Sequence, residues 1–263
     1  MKLSISNLAW NNSINDTAYQ LIKDCGFSAI EIAPTKIIQS NPYDNLDKII
    51  AWRDSLRSSF GLEVSSIQSI WYGRQERLFG SEEERIALLE YTKKAIVFAN
   101  AVGAGNIVFG CPRNRSVLPG ENSDVAVSFF KELGDFAAAN NTVLSMEANP
   151  PIYNTNYINT TYEAYDLVKR VNSIGFKINI DLGTIIENNE DIEIIYDIKN
   201  LINHIHVSEP NIELIKQRKL HNKLSTLLKS INYKKYISIE MKERSLSEIS
   251  WALNYVKEVF YDF

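Results

Sequence analysis

The sequence predicts one α/β domain, a closed (β/α)8 TIM barrel spanning residues 1–263. Three observations carry that expectation. Eight apolar-rich strand candidates recur at intervals of roughly 25 to 40 residues with helical segments between them, as βα units of a parallel sheet do. No linker, low-complexity tract or composition shift interrupts the series. No glycine-rich phosphate turn follows an early strand, as an open doubly wound sheet would more often show.

The elements can be read in order. MKLSISNLAW alternates apolar and polar residues without a long apolar run, so it reads as a first strand, KLSIS, and not as a signal peptide. Gly26 stops the first helix and FSAIEIA follows, with Glu31 inward by alternation and read as interior polar packing. Gly61 precedes LEVSSIQSI, which carries Gln68 on its inward side. Ser81 with Glu84 has the S/T-x-x-E spacing of a capping box, in which the hydroxyl accepts from an open amide and the Glu reaches back to the cap N–H. Gly103 precedes the fourth strand, NIVFG, and the loop CPRNR. TVLSMEA is the fifth strand; Thr160 with Glu163 caps the next helix, and Gly175 marks its end before FKINIDLG. The acidic run ENNEDIE, Glu187 to Glu193, reads as a solvated helix start that suits the helix dipole. LINHIHV follows, then KLHNKL with His221 on a surface helix, then YISIEM, and last a helix capped by Ser245 and Glu248.

Composition narrows the function. Charged residues make up 23 % and hydrophobic ones 45 %, as in a globular protein with a sizeable core. A net charge of −4 gives no electrostatic case for nucleic-acid or membrane-surface binding. Cys25 and Cys111 stand apart in no motif, so the expected setting is reducing, and a cytoplasmic location follows as the default. No stretch approaches the roughly 20 apolar residues of a membrane span.

The later strands carry the chemistry. Parallel strands buried on both faces usually read as continuous apolar runs. Here they alternate: Ser145-Met146-Glu147, Asn179-Ile180-Asp181, His204-Ile205-His206 and Ser238-Ile239-Glu240. In a barrel the apolar members face the helices and the polar ones face inward, at the strand ends where active sites of this fold lie. Glu147, Asp181, His206 and Glu240 recur about one βα unit apart and would converge on one point. Three carboxylates and an imidazole form an oxygen-rich site for one divalent ion, Mn²⁺ or Mg²⁺ before Co²⁺ or Zn²⁺. The competing reading pairs the carboxylates with lysines or backbone amides and leaves both histidines as core residues. His204, one layer deeper than His206, fits a hydrogen-bonded core role beneath the ion.

On these residues the chain resembles the sugar phosphate isomerase/epimerase superfamily, the xylose isomerase-like barrels. SMEANPPIYNTNYINTTYEA, INIDLGT, HIHVSEP and YISIEM carry the likeness, which covers essentially the whole length. The resemblance implies that Glu147, Asp181, His206 and Glu240 hold the metal, and that Glu147 and Glu240 are an acid/base pair on the two faces of a sugar carbon. It implies a small sugar or sugar-phosphate substrate; the sequence does not fix the oligomeric state, and a homo-oligomer is one option. Physically the role is sound: charge that builds on oxygen when a proton leaves the neighbouring carbon needs a Lewis acid, and a carboxylate on each face allows inversion. Ketose 3-epimerases carry a His where this chain has Thr184 and an Arg where it has Ile212, so the likeness does not extend to a psicose or tagatose substrate.

Further residues are candidates for substrate contact. Arg113 and Arg115 would clamp a phosphate or carboxylate, and Trp10 and Trp71 would stack on a sugar face. Gln68, inward on the third strand by alternation, and Asn149, Glu209 and Lys242, each two or three residues beyond a ligand, are further candidates for substrate contact. The rival readings are a dehydratase of a keto sugar or cyclitol, which begins with the same proton abstraction, and a non-catalytic barrel that binds carbohydrate or protein. Phosphoester hydrolysis on the same fold uses a His-rich metal cluster, and three histidines in the chain are too few for it.

Overall fold

The computed structural model describes residues 1–261. Eight strands form one closed, all-parallel barrel in sequence order. They are β1 (Lys2–Ser6), β2 (Ala29–Ile32), β3 (Glu63–Ile67), β4 (Ile107–Phe109), β5 (Leu144–Glu147), β6 (Phe176–Asp181), β7 (Ile202–Val207) and β8 (Tyr236–Ile239). The helices around them are α1 (Asn15–Asp24), α2 (Pro34–Ile37), α3 (Leu46–Phe60), α4 (Glu82–Val102), α5 (Val125–Ala139), α6 (Thr161–Val171), α7 (Leu182–Glu187), α8 (Ile194–Asp197), α9 (Lys219–Ser230) and α10 (Leu246–Phe260). Closure joins β1 to β8, with Lys2 opposite Tyr236 and Ile5 opposite Ile239.

Alternation separates two interiors. Ile5, Ile30, Ile67, Phe109, Met146, Ile205 and Ile239 are buried, and most of their neighbours along the strands are buried polar residues. Outside the sheet, Phe109 packs edge-on against Trp71 and Phe130, and Phe130 stacks on Phe176. Inside, side chains from non-adjacent strands meet across the bore. Ser4 bonds Ser65 at 2.6 Å, and Asn203 donates to Asn106 at 2.8 Å. This barrel interior is therefore polar and partly cross-linked by hydrogen bonds where many barrels use branched apolar layers, although among the described residues Asn179 Oδ1 and the Ser238 hydroxyl have no hydrogen-bond partner.

All three capping boxes form, at Ser81/Glu84, Thr160/Glu163 and Ser245/Glu248. Gly61 and Gly103 end α3 and α4 in the left-handed region, at φ +69° and +77°. Gly175 does not end α6. That helix stops at Asn172, itself left-handed at φ +47°. Gly175 is required for packing instead: a Cβ there would lie 2.1 Å from the Gly134 carbonyl oxygen on α5. The acidic run lies between α7 and α8, its charged residues largely in solvent. His221 is also not a surface residue. It is fully buried where α9 meets α10, and its Nδ1 lies 2.9 Å from the Tyr255 hydroxyl. Among the described residues no helix is long and apolar enough to cross a membrane.

Candidate metal centre

Four strand ends bring the four expected ligands together. Glu147 and Asp181 are the last residues of β5 and β6, His206 is the penultimate residue of β7, and Glu240 directly follows β8. Register holds them level: Asp181 pairs with His206 across β6 and β7, and the Glu240 N–H donates to the Val207 carbonyl. Each offers one ligand atom within 4.8 Å of the others. His206 Nδ1 lies 2.9 Å from Glu147 Oε1, 3.2 Å from Glu240 Oε2 and 4.0 Å from Asp181 Oδ2. Ligands at roughly 2.0 to 2.3 Å from a common ion would have such separations.

The electrostatics ask for a cation. Burial, and then the charges of Glu147 and Glu240, push the Asp181 carboxyl up to about 7. Burial likewise raises Glu240, against the pull of His206. Burial alone would lower His206, but Glu31, Glu240 and Glu147 together hold it well above the usual imidazole range. Three carboxylates crowd one imidazole with too little positive charge to go round. The donor set, the spacing and the excess negative charge all fit one divalent ion.

Surrounding side chains hold the ligands in place. Glu31 lies beneath His206, its carboxylate 3.1 Å from Nε2, so Nδ1 is the nitrogen turned to the cluster. His204 Nε2 is 3.2 Å from the same carboxylate, and Gln68 donates to it at 2.8 Å. Asn179 and Asn149 donate to opposite oxygens of Glu147, at 2.7 and 3.1 Å. Ser208 donates to Asp181, whose other oxygen accepts the Thr184 N–H at 2.6 Å, capping α7. Glu31, Asn179 and Ser208 were not assigned to the site from sequence. Alternation along β6 and β7 marks Asn179 and Ser208, each two residues from a ligand.

A cavity of about 160 Å³ opens above the cluster, and Gln68 and Asn149 are among the residues that line it. Other expected substrate contacts lie elsewhere. Trp10 is fully buried, its Nε1–H donating to Asn15 Oδ1. Trp71 packs on Phe109 and donates to Thr92; with exposed Arg113 it lines a neighbouring pocket. Arg115 is no surface clamp. It is fully buried, donating to the Glu147 carbonyl at 2.9 Å and to Asn149 Oδ1 at 2.8 Å, and burial pulls its pKa down to about 10. Its position makes it the brace that turns Asn149 towards Glu147. Glu209 is buried and held by Arg218, while Lys242 is exposed and paired with Glu213. Tyr153 and Ile212, neither assigned to substrate from sequence, line the cavity.

Comparison with known proteins agrees with this architecture. A family profile described as xylose isomerase-like TIM barrel matches residues 19–259. No curated protein matches the sequence. D-psicose 3-epimerase from Clostridium cellulolyticum H10, solved with D-tagatose, superposes with a TM-score of 0.81 over 99 % of each chain at 16 % identity. A 3-keto-D-glucoside 4-epimerase from E. coli gives 0.77 over 98 % of this chain and 99 % of that one, at 19 % identity. A probable 3-DHS dehydratase from Bacillus anthracis gives 0.70 over 100 % of this chain and 99 % of that one, at 16 % identity. At such identities the likeness is one of fold.

Proposed function

This chain belongs to the xylose isomerase-like TIM barrel family, and from that premise we propose that it is a divalent-metal-dependent isomerase or epimerase of a small sugar or sugar derivative, with Mn²⁺ the preferred ion. One observation carries the reading. Glu147 and Glu240 close on one point from β5 and from the end of β8, with Asp181 and His206 between them around the ring. A carbon held there has a carboxylate on each flank.

A divalent ion held by the four residues would supply Lewis-acid stabilisation for charge that builds on oxygen when a carbon-bound proton leaves. The chain's own groups do the rest. One carboxylate takes the proton from the carbon beside the carbonyl, and the other returns one to the opposite face, inverting the centre. Return to the adjacent carbon exchanges aldose for ketose. Asn149 and Asn179 fix the orientation of Glu147 through both its oxygens. Gln68 spends both N–H donors on Ser6 and Glu31, which leaves its Oε1 as an acceptor for a substrate hydroxyl.

Carboxylate-to-amide variants test the assignment, because Gln retains an oxygen ligand but cannot serve as a base at neutral pH. Glu147→Gln and Glu240→Gln should keep part of the Mn²⁺ binding and lose turnover on a panel of ketoses and aldoses. Each variant should still exchange deuterium from heavy water into the one epimer whose proton faces the surviving carboxylate. Near-normal turnover with bound metal in both variants would overturn the pair.

A further inference from the structure

The inward rows of the barrel change sign from one mouth to the other. Alternate residues of a strand share a face. Asp181 therefore heads a row that runs down β6 through Asn179 to Lys177, and Ser6 heads one that runs down β1 through Ser4 to Lys2. Lys234 and Lys235, just before β8, bring two more charges to the same end. The C-terminal mouth holds the carboxylates and the N-terminal mouth holds lysines, in a chain whose net charge is −4.

A cavity of about 380 Å³ occupies the N-terminal mouth. Lys2, Lys234 and Lys235 line it, and the buried side chains of Asn106, Asn203 and His204 are part of its wall. Glu63 is the one carboxylate of that lining, and it accepts from Arg57 at 2.8 Å. Among the described residues none of Lys2, Lys177, Lys234 and Lys235 pairs with a carboxylate. Lys235 instead donates to neutral groups, to Asn203 Oδ1 at 2.7 Å and to the Ile202 carbonyl at 3.2 Å. Lys2 lies over the Tyr236 ring, its Nζ 5.3 Å from the centroid. Burial, and then the charge of Lys177, push the Lys235 amine below its ordinary range. The charge there is both desolvated and crowded by its own kind. None of the four lysines stands in the last turn of a helix, where open carbonyls would account for a basic side chain.

We propose that the N-terminal mouth of the barrel binds a phosphate group, free or carried by a small metabolite, through Lys2, Lys234 and Lys235. Several ammonium groups around one concave site suit a multiply charged oxyanion, for which lysine acts as a point charge. The volume falls within the range of small-molecule sites, roughly 300 to 1,000 Å³. The site lies at the opposite end of the bore from the metal centre and does not depend on the isomerase or epimerase reading.

Calorimetric titration of the metal-free protein at low ionic strength tests it, with inorganic phosphate, pyrophosphate, glucose 6-phosphate and ADP as probes. Without an ion the carboxylate cluster repels all four. At least one probe should bind with a Kd below about 1 mM. The double variant Lys234→Gln/Lys235→Gln should weaken that binding by about 10- to 100-fold, and Lys2→Gln by about threefold or more. Lys94→Gln/Lys223→Gln removes the same charge from lysines paired with Asp44 and Glu193 on outer helices, and should change the Kd by less than about twofold. Arg113→Gln, at the other mouth, should behave like that control. Tighter binding of glucose 6-phosphate or ADP than of inorganic phosphate identifies a phosphorylated metabolite as the ligand, and the reverse order identifies the free ion. Where the double variant does not fold, Lys2→Gln decides, and an unchanged Kd in it overturns the site. So does the absence of any binding below about 1 mM, or a loss as large in either control as in the Lys234/Lys235 variant.

Discussion

At the scale of single residues the centre depends on an interaction that spans most of the chain. His206 is fully buried and both ring nitrogens are committed, Nδ1 to the carboxylate cluster and Nε2 to Glu31. With Glu31 accepting at Nε2, the proton belongs on that nitrogen and the Nδ1 lone pair is left for an ion that the cluster would hold. Glu31→Ala should therefore weaken Mn²⁺ binding about 10- to 100-fold, while leaving all four ligands in the chain. Titration of the metal-free protein, followed by calorimetry or by the electron spin resonance of free Mn²⁺, reads this directly. Unchanged affinity would reduce Glu31 to packing. Alternation along β2 did place Glu31 inside the barrel, but nothing in its sequence neighbourhood connects it to His206. Only the closed barrel does that. Arg115 failed as an expectation for a related reason: a loop arginine after a strand resembles an anion clamp until the Ile158 segment is seen to cover it. The convergence of Glu147, Asp181, His206 and Glu240 was legible because a two-residue alternation and one βα repeat suffice to align them.

At the scale of elements, local signals were read correctly where local chemistry decides. A capping box is complete within four residues, and all three formed. Gly175 and His221 misled because their reasons lie on other elements, the Gly134 carbonyl on α5 and the Tyr255 hydroxyl on α10. The α9–α10 contact has a measurable consequence. The Tyr255 hydroxyl accepts from the Arg218 N–H and lies 2.9 Å from Nδ1 of His221, within reach to donate to it when the ring is neutral. Burial holds the His221 pKa down at about 4. In the unfolded chain the group titrates near 6.5. Above that value it is neutral in both states and the contact contributes fully. As the pH falls from about 6.5 towards 4, only the unfolded chain takes up the proton, and stability drops by on the order of 3 kcal/mol. About 2 kcal/mol of that loss should fall between pH 7 and pH 5. His221→Gln keeps an acceptor for Tyr255 and does not titrate. Urea unfolding at the two pH values should show a smaller pH dependence in the variant by about that amount, and equal slopes would mean that His221 is protonated in the folded protein.

At the scale of the whole molecule, folding gathers negative charge that an unfolded chain keeps apart. Glu147, Asp181 and Glu240 come from separate βα units and meet only once the barrel closes. Without an ion the folded state bears their burial and their mutual repulsion, which together, burial first, raise the carboxyl of Asp181. A divalent ion that binds the folded chain alone stabilises it by about 2.7 kcal/mol at a hundredfold excess over its dissociation constant. For a domain of this size that corresponds to a rise in Tm of roughly 5 to 10 °C. Mn²⁺ should give such a rise, EDTA should remove it, and His206→Ala should abolish it. Asp181→Asn sharpens the test because its sign should invert. It relieves like-charge crowding, so the variant should melt no lower than the parent in EDTA, yet it should lose most of the Mn²⁺-dependent gain. An ordinary packing residue would lose stability under both conditions. A variant that melts lower in EDTA and still responds fully to Mn²⁺ would place the ion elsewhere. The inversion is what distinguishes a cluster assembled around a cation from three acidic residues that only happen to be neighbours.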